Sequence, residues 1–326
     1  MSLPRSDSPV RWGLLGASRI AVREFLPALR ATAGGTAALV GARDGDRATA
    51  FAAEHGVARG VQGYQEVLDS PDVDAVYVAL PNDMHTRWAE AAARAGKAVL
   101  CEKPLGLSQR DVSDLVSAVG PGALVWEAMV FPFHPQSELL RHLIQDELGG
   151  LSHVDSQFHF VLERDEDIRW DPQRGGGAMY DVGCYCVRLG RLAFGSEPTS
   201  ADAQAVLSPR GVDASVSSAV HFPGGRVLSL SASLVDPLTT WACLEGPRGR
   251  LSVDNPFHPK PGDGIELWRD GRLVRSFPAP PGRSFGYGLT HIHRVLRGEE
   301  EPRNLAEDES VGQARAMDLV RAAAGL

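Results

Sequence analysis

Short apolar runs alternate with longer amphipathic stretches over about the first 127 residues, and no other feature of the sequence constrains its fold as strongly. A buried strand, a helix and a second strand form the repeating unit of a parallel sheet, and this alternation is typical of it. The predicted strands are 10–15, 36–41, 74–80, 98–101 and 123–129, and the predicted helices are 19–32, 44–55, 86–95 and one that begins after Ser108. The pattern therefore predicts an α/β first half with a parallel sheet.

The pattern changes after about residue 130, where polar and apolar residues alternate along several strand-like segments. Such alternation is typical of an antiparallel sheet with one face covered and the other exposed. The predicted strands are 152–162, 201–207, 214–222, 226–234, 239–245, 249–254 and 264–270, and the predicted helices are 135–148, 179–194 and 305–324. We therefore expect an α+β second half with a large, mostly antiparallel, open-faced sheet. Its exposed face is a candidate interface for a homodimer or homotetramer.

Two domains are expected, because 326 residues exceed the usual domain size of about 100 to 200 residues. We place the first domain at residues 1–127. The second, at residues 128–326, would bind the substrate and mediate oligomerisation. Its C-terminal helix is a candidate for packing back on the first domain.

The charge pattern and the apolar pattern exclude several classes of protein. The 41 acidic residues outnumber the 33 basic ones, and no basic stripe offers a nucleic-acid interface. No apolar run approaches the roughly 20 residues of a membrane span, and MSLPRSDSPV (1–10) lacks the apolar core of a signal peptide. The four cysteines match no zinc spacing. We expect a soluble, cytoplasmic protein without a metal.

The segment GLLGASRIA (13–21) lies where the first strand should turn into the first helix. Gly16, Ser18 and Ala21 occupy the positions of the dinucleotide fingerprint G-x-G-x-x-G/A, in which glycines let a pyrophosphate approach the helix N-terminus. An ordinary strand-to-helix turn is the alternative interpretation. In its strand-turn-helix context the segment favours a Rossmann domain. The candidate cofactor-binding residues here are Gly16, Ala17, Ser18, Arg19 and Ile20.

The segment GARDGDR (41–47) follows the second strand, where an NAD-binding domain carries an acid for the ribose 2′-hydroxyl. Ala42 occupies that position, and Arg43 follows it. A guanidinium there can pair with the 2′-phosphate of NADP through its planar fork. The alternative is a solvated loop arginine beside a helix that Asp44 caps. The segment favours NADP over NAD, with NAD as the other option.

Two further motifs carry candidate catalytic groups. CEKPL (101–105) ends a predicted strand, the edge at which open α/β sheets bind ligands, and Pro104 would fix the direction of Lys103. A lysine beside a nicotinamide can stabilise alkoxide character on a substrate oxygen. In GGGAMYDVGCYC (175–186), Asp181 and Tyr185 lie four residues apart and so share one helix face. A surface lysine, a capping aspartate and a buried tyrosine are the structural alternatives.

These motifs in this order resemble the glucose-fructose oxidoreductase, inositol dehydrogenase and rhizopine-catabolism family, called Gfo/Idh/MocA. The most specific segments are LPNDMH (80–85), EKPL (102–105), EAMVFPFHPQ (127–136) and DIRWDPQRGGGAMYDVGCYC (167–186). The resemblance implies that Leu80, Pro81, Asn82 and His85 line the cofactor. It also implies that Glu102 and Lys103 contact nicotinamide and ribose, and that Asp181 and Tyr185 face the substrate.

Many members of the family have histidine at the position of Tyr185, and the tyrosine branch is similar to sugar, diol and nucleotide-sugar oxidoreductases. Two residues depart from the family pattern. Ser18 replaces the second fingerprint glycine, which puts the usual pyrophosphate contact in doubt. Pro132 stands where arginine is common, which prevents the transfer of any substrate preference.

We therefore hypothesise an NADP-dependent dehydrogenase or reductase that moves a hydride between nicotinamide and a CH–OH or C=O carbon of a sugar, polyol or diol. Tyr185 would exchange the matching proton, and Lys103 would orient the reacting oxygen. Asp181, Arg169 and Trp170 would position the substrate. A nucleotide-sugar 3-ketoreductase is the alternative enzyme, and a catalytically silent NADP-binding sensor is the alternative outside enzymes.

Overall fold

The computed structural model describes residues 8–326, which divide into two compact units. One unit comprises the described residues up to Val130 together with Phe285–Val311, and the other comprises Phe131–Ser284 with Gly312–Leu326. Residues 1–7, which belong to the segment inspected for a signal peptide, lie outside the described residues. The units differ from the predicted ranges 1–127 and 128–326 chiefly in one segment, because Phe285–Val311 groups with the first unit.

The first unit contains a six-stranded parallel sheet. The sequence predicted a parallel sheet with five of these strands and missed the short strand Arg59–Gln62. Its strands are β1 (Val10–Leu15), β2 (Gly35–Ala42), β3 (Arg59–Gln62), β4 (Ala75–Val78), β5 (Ala98–Cys101) and β6 (Val125–Glu127). Their spatial order is β3-β2-β1-β4-β5-β6. This is the order of a Rossmann fold, in which the crevice outside the carboxyl ends of β1 and β4 receives the ligand.

Two helices of this unit begin where their capping residues predict. Asp44 accepts a hydrogen bond from Arg47 N at 3.0 Å, and Ser108 accepts one from Asp111 N at 3.1 Å. The helices are α1 (Leu26–Ala31), α2 (Gly45–His55), α3 (Gln65–Asp69), α4 (His85–Arg94) and α5 (Gln109–Val119). A wider helical turn at Ala21–Phe25 leads directly into α1. The predicted helices match these positions, except for the short α3, which was not predicted.

The sequence interpretation also missed the helix Ser284–Leu296, which belongs to the first unit from Phe285 onward. Its two glycines and two histidines weaken the helical signal, and tertiary packing overrides that weakness. His293 is completely buried and accepts a hydrogen bond from Trp12 Nε1 at 2.9 Å. A Cβ on Gly35 would lie 2.5 Å from the His293 ring, so β2 and this helix touch closely.

We expect His293 to make the protein less stable in mild acid. Burial lowers its pKa from 6.5 to about 4, and its Nε2 must stay unprotonated to accept from Trp12. A folded-state pKa below the unfolded one means that the unfolded chain binds more protons, so stability falls as pH falls from 6.5 towards 4. Between about pH 7.5 and about pH 5 the loss should be roughly 2 kcal/mol, read from urea unfolding.

A His293→Gln variant keeps an acceptor for Trp12 without a titrating ring, so its stability should depend less on pH over this interval. His142→Gln is the matched control, because His142 lies exposed on the protein surface. Equal pH slopes in His293→Gln and the wild type would contradict the assignment.

The second unit contains an eight-stranded sheet with the order β14-β13-β12-β11-β7-β10-β9-β8. Only β7 and β10 run parallel, so the expected mostly antiparallel sheet is confirmed. The strands are β7 (His153–His159), β8 (Ser200–Leu207), β9 (Asp213–Phe222), β10 (Arg226–Ser233), β11 (Thr239–Gly246), β12 (Gly249–Asp254), β13 (Gly264–Arg269) and β14 (Arg272–Pro278). The sequence interpretation missed β14, whose exposed residues form an edge strand without a buried face.

One face of this sheet is covered by a helix and the other carries mixed polar and aromatic side chains. The covering helix, Cys184–Phe194, packs on β7 and β10. A Cβ on Gly190 would lie 2.7 Å from Leu228 Cδ2, so glycine permits this close approach. The opposite face holds a depression of about 360 Å³ with Trp241 and Trp268 among its walls. The other helices of the unit are Pro135–Leu143, extended by a wider turn to Leu148, and Val311–Ala323, which groups here from Gly312 onward.

Among the described residues, no helix combines the length and the apolar character needed to cross a bilayer. The described residues also contain no cluster of three or more histidine, cysteine, aspartate or glutamate side chains suited to a metal ion. All four cysteines are buried free thiols.

Candidate active site

The fingerprint loop of the first unit has the backbone geometry that its first glycine predicts. Gly16 has φ = 106°, and a Cβ there would lie 2.7 Å from Ala79 O. Its N–H donates to Gly41 O at 2.9 Å. Any side chain at this position would strain the backbone and strike the loop after β4. Glycine is therefore required at the carboxyl end of β1.

Ser18 takes a structural role at the position of the second fingerprint glycine. Its Oγ accepts a hydrogen bond from Ala21 N at 3.3 Å, which satisfies one N–H of the first helical turn. The preceding carbonyl, Ala17 O, accepts from Arg47 Nη2 at 2.9 Å. Ala17 and Ile20 are half-buried and Arg19 is exposed. The loop is thus held from two sides, and the serine adds a hydroxyl beside the predicted phosphate position.

An arginine follows β2 at the place where an NAD-binding domain has an acid. Ala42 ends the strand, and Arg43 follows it as an exposed residue. The nearest carboxylate, Asp44, is occupied with capping α2. Tyr64 lies near enough for Arg43 and Arg47 to lower its pKa, although burial outweighs them and raises that pKa overall. These residues could surround a 2′-phosphate.

His85 lies inside the first unit instead of on its surface. The ring is completely buried, with Nδ1 2.7 Å from Pro104 O and Nε2 2.8 Å from Leu80 O. Burial lowers its pKa. The resemblance implied that His85 lines the cofactor together with Leu80, Pro81 and Asn82. The geometry gives His85 an indirect part, because it ties the loop after β4 to the loop after β5.

Two buried glutamates hold the EKPL segment after β5. Glu102 Oε1 accepts from the Tyr77 hydroxyl at 2.5 Å, and its Oε2 faces Lys103 N at 3.3 Å. Glu127 Oε1 accepts from Leu105 N at 3.0 Å. The Lys103–Pro104 peptide is cis, and the Lys103 side chain is half-buried. The segment therefore has a defined course around Lys103.

The sequence interpretation gave Glu127 no role, although an acid at the end of an apolar strand was a signal for one. In addition to Leu105, its carboxylate accepts from Ser310 Oγ at 2.9 Å. This contact joins the EKPL segment to the region after residue 300 within the first unit. Glu127 thus supports the loop that carries Lys103.

In the second unit, Tyr185 lies in an aromatic pocket with 8% of its surface exposed. Its ring centroid is 5.4 Å from that of Phe158, 5.3 Å from Phe257 and 5.3 Å from His258. Phe131 lies farther away at 6.3 Å. Such packing fixes the direction of the phenol, as a proton donor for a positioned substrate requires.

Asp181 lies one helical turn before Tyr185, in the wider turn Met179–Gly183, and forms an ion pair with Arg169. Arg169 Nε lies 2.6 Å from Asp181 Oδ2, and its Nη1 lies 3.2 Å from Asp167 Oδ1. The carboxylate of Asp181 raises the pKa of Arg169 most. Of the predicted substrate residues, the structure thus joins Arg169 and Asp181 directly.

Trp170, the other predicted substrate residue, is half-buried against an apolar cluster that includes Ala178 and Val182. It therefore packs at the base of the helix that carries Asp181 and Tyr185.

Pro132 lies in the short turn Phe131–Phe133, just before His134 caps the next helix by accepting from Gln136 N at 3.1 Å.

The glycine-rich turn before Asp181 explains how this helix is placed. A Cβ on Gly176 would lie 2.4 Å from Arg169 O, and Gly177 N donates to the same oxygen at 2.9 Å. Asp213, which the sequence interpretation missed, accepts from Met179 N at 2.6 Å at the start of the helix. The turn therefore ties the Arg169 backbone to the helix that carries the candidate site residues Asp181 and Tyr185.

Comparison with known proteins agrees with both units. The model of the oxidoreductase family with an NAD-binding Rossmann fold matches residues 10–121, and that of the GFO/IDH/MocA C-terminal domain matches residues 138–252. The chain is 33% identical to a D-xylose 1-dehydrogenase (NADP(+)) of Haloferax volcanii over 95% of each chain. It is 37% identical to a dTDP-3,4-didehydro-2,6-dideoxy-α-D-glucose 3-reductase of Saccharopolyspora spinosa, over 94% of this chain and 98% of the relative.

A solved structure of a 3-ketoreductase from Actinomadura kijaniata, in complex with NADP and TDP-benzene, superimposes with a TM-score of 0.88 at 29% identity. The match covers 97% of this chain and 98% of the other. The expected parallel Rossmann sheet and the open-faced second sheet are thereby confirmed. The chain belongs to the Gfo/Idh/MocA family of oxidoreductases.

Proposed function

We propose that the protein is an NADP-dependent dehydrogenase or reductase that acts on a CH–OH or C=O carbon of a sugar, polyol or diol. One observation carries this proposal: a helix of the second unit presents a packed phenol, Tyr185, and an ion-paired carboxylate, Asp181, on one face. Chemistry at an alcohol or ketone carbon of a sugar requires a carboxylate that accepts hydrogen bonds from the hydroxyl groups and a phenol that exchanges a proton with the reacting oxygen.

The first unit fits a dinucleotide by its backbone. The Gly16 turn leaves a cradle that a Cβ would fill, and Ser18 caps the helical turn that follows by accepting from Ala21 N. Candidate cofactor contacts are Gly16, Ala17, Ser18, Arg19, Ile20, Arg43, Leu80, Pro81, Asn82, Glu102 and Lys103, with His85 behind them. NADP(H) would supply or accept the hydride when bound.

The protein side chains would manage the proton and the substrate position. Tyr185 would donate a proton to the carbonyl oxygen in reduction and accept it in oxidation. Lys103 would direct the reacting oxygen and favour the deprotonated phenol through its positive charge. Asp181 would accept hydrogen bonds from substrate hydroxyls, and Arg169 would hold its carboxylate in place.

We expect NADP to be preferred over NAD, and Arg43 to be the main reason. Arg43→Ala should raise the KM for NADP roughly 10- to 100-fold and leave that for NAD nearly unchanged, because a guanidinium–phosphate pair is worth a few kcal/mol. Steady-state absorbance with both cofactors measures this. Arg110→Ala is the control, since Arg110 is an exposed arginine on α5 whose partner is Asp114. An unchanged cofactor ratio in Arg43→Ala would remove Arg43 from the site.

The choice among functions is tested by a screen of aldoses, inositols, diols and keto-sugars in both directions with both cofactors. Turnover of free sugars or diols supports the proposal. The similarity to dTDP-sugar 3-reductases favours a nucleotide-sugar 3-ketoreductase as the second candidate. Tight NADP binding without turnover of any of these compounds or of a dTDP-linked keto-sugar would indicate a silent sensor instead.

We further propose that copies of the chain associate through the open face of the second sheet, in a homodimer or homotetramer. This face carries both acids, such as Asp155 and Glu245, and a base, Arg250, beside Trp241 and Trp268. Mixed charges suit a self-complementary twofold interface. A sedimentation mass of a single chain would contradict this association.

Four buried free thiols fit a reducing, cytoplasmic location, which fractionation would test.

A further inference from the structure

The ring of His85 lies between two backbone carbonyls and meets each of them with a ring nitrogen. Its Nδ1 is 2.7 Å from Pro104 O, and its Nε2 is 2.8 Å from Leu80 O. A carbonyl oxygen only accepts hydrogen bonds, whereas a neutral imidazole has a proton on one nitrogen and a lone pair on the other. A neutral ring can therefore donate to one of the two carbonyls only, and the lone pair of its other nitrogen then faces an oxygen.

Turning the ring over does not remove this conflict. A half-turn about the Cβ–Cγ bond would put a ring carbon roughly where each nitrogen lies. The carbon–oxygen distances would then be about 2.7 to 2.8 Å, far below the roughly 3.3 to 3.6 Å of a C–H···O contact. Only a ring with a proton on both nitrogens satisfies both contacts as they stand in the structure.

The surroundings of the ring oppose this second proton. The ring is completely buried, and burial lowers its pKa most. The charge of Lys103 lowers the pKa further, whereas the two carbonyls and Asp83 raise it. His85 is also the first residue of α4, where the helix dipole disfavours a positive charge. The net shift is downward from 6.5, so the second proton needs additional negative charge nearby if it is to be held at pH 7.

The two carbonyls belong to the loops on which the dinucleotide is proposed to lie. Leu80 follows β4 and Pro104 follows β5, and these strands are parallel neighbours, so both loops lie at the carboxyl edge of the sheet. Lys103 directly precedes Pro104, so a contact that fixes Pro104 O also fixes the backbone beside Lys103. NADP would bring the negative charge of its phosphates to this edge, and negative charge favours an imidazolium.

We propose that His85 is a positioning residue that takes up a second proton from solvent when NADP binds, and that the doubly protonated ring ties the loop after β4 to the loop after β5 beneath the cofactor. The inference rests on the proposed function and deepens it, because it makes cofactor binding depend on pH. By linkage, the affinity for NADP rises as pH falls towards the pKa of His85 in the free protein. Each unit by which NADP raises that pKa corresponds to a tenfold gain in affinity.

The first test counts the protons taken up as NADP binds, by titration calorimetry at about pH 6.5 in buffers of different ionisation enthalpy. The wild type should take up roughly half a proton more than His85→Gln, because an amide does not titrate. The 2′-phosphate of NADP also titrates near pH 6, but it contributes equally in both proteins. His55→Gln, at the opposite end of α2 from β2, is the control and should match the wild type. Equal uptake in the wild type and His85→Gln would overturn the inference.

The second test uses the wild type alone, so it does not depend on the folding of a variant. Nitrogen-15 NMR distinguishes a ring nitrogen that has a proton from one that has a lone pair, and through-bond correlations assign the His85 ring. With NADP bound, both nitrogens should keep their protons to a higher pH than without it. An unchanged titration midpoint would overturn the inference.

The proposed function fails separately if NADP does not bind at all. The tie between the loops is then read in the protein alone, from hydrogen exchange at the amides of Lys103 and Leu105. After correction for the intrinsic effect of pH, exchange should slow as His85 gains its second proton. Exchange that does not change across this titration would overturn the inference.

Discussion

Replacing Lys103 with methionine is expected to lower turnover by about three orders of magnitude, while NADPH binding changes little. Methionine keeps the length of the stem but removes the positive charge that would stabilise the reacting oxygen. The backbone around position 103 should persist, because Glu102 and Glu127 hold the segment through Tyr77 and Leu105. Stopped-flow fluorescence of bound NADPH and steady-state absorbance measure the two quantities separately.

Lys260→Met is the control for Lys103→Met. Lys260 is exposed in the loop before β13. Its replacement by methionine removes the same charge from the same type of side chain. The third lysine, Lys97, is unsuitable because its Nζ donates to Ser70 O and Val73 O inside the first unit. Turnover in Lys103→Met equal to that in Lys260→Met would exclude Lys103 from the reaction.

The elements of the fold could be predicted where a local signal and the packing agree. β1 and β5 match their predicted bounds, because both are short and almost entirely buried runs between clear turns. Asp44 and Ser108 were predicted from their residue types and do cap helices. The failures are segments whose stability comes from distant partners. The helix that begins at Ser284 has weak propensity, and its His293 binds Trp12 across 281 residues of sequence.

The candidate site, like the fold, could be predicted where a local pattern was sufficient and not where distant segments meet. The helical spacing of Asp181 and Tyr185 indicated a shared face, but no pattern indicated that Asp181 would bind Arg169. That pair depends on the Gly176 turn, which brings two chain segments to van der Waals contact. His85 is the clearest difference between motif and geometry. The motif implies cofactor contact, whereas burial and two carbonyl partners make the ring a tie between loops.

Replacing Tyr185 with phenylalanine is expected to lower kcat by about 10²- to 10³-fold, with a smaller change in KM. Phenylalanine keeps the ring contacts with Phe158 and Phe257, so the helix and its aromatic pocket should persist. Only the hydroxyl group, with its exchangeable proton, is lost. The pH profile of kcat should lose the limb that belongs to the phenol. Tyr287→Phe, a half-buried tyrosine of the first unit, is the control and should keep full activity.

Combining Tyr185→Phe with Lys103→Met tests whether both groups act on one oxygen. Groups that act as a unit are strongly non-additive, so the double variant should be little slower than the slower single variant. Multiplied losses would mean that the lysine and the phenol contribute to the rate independently of each other. In that case Lys103 would serve the cofactor side of the reaction, and Tyr185 alone would carry the proton.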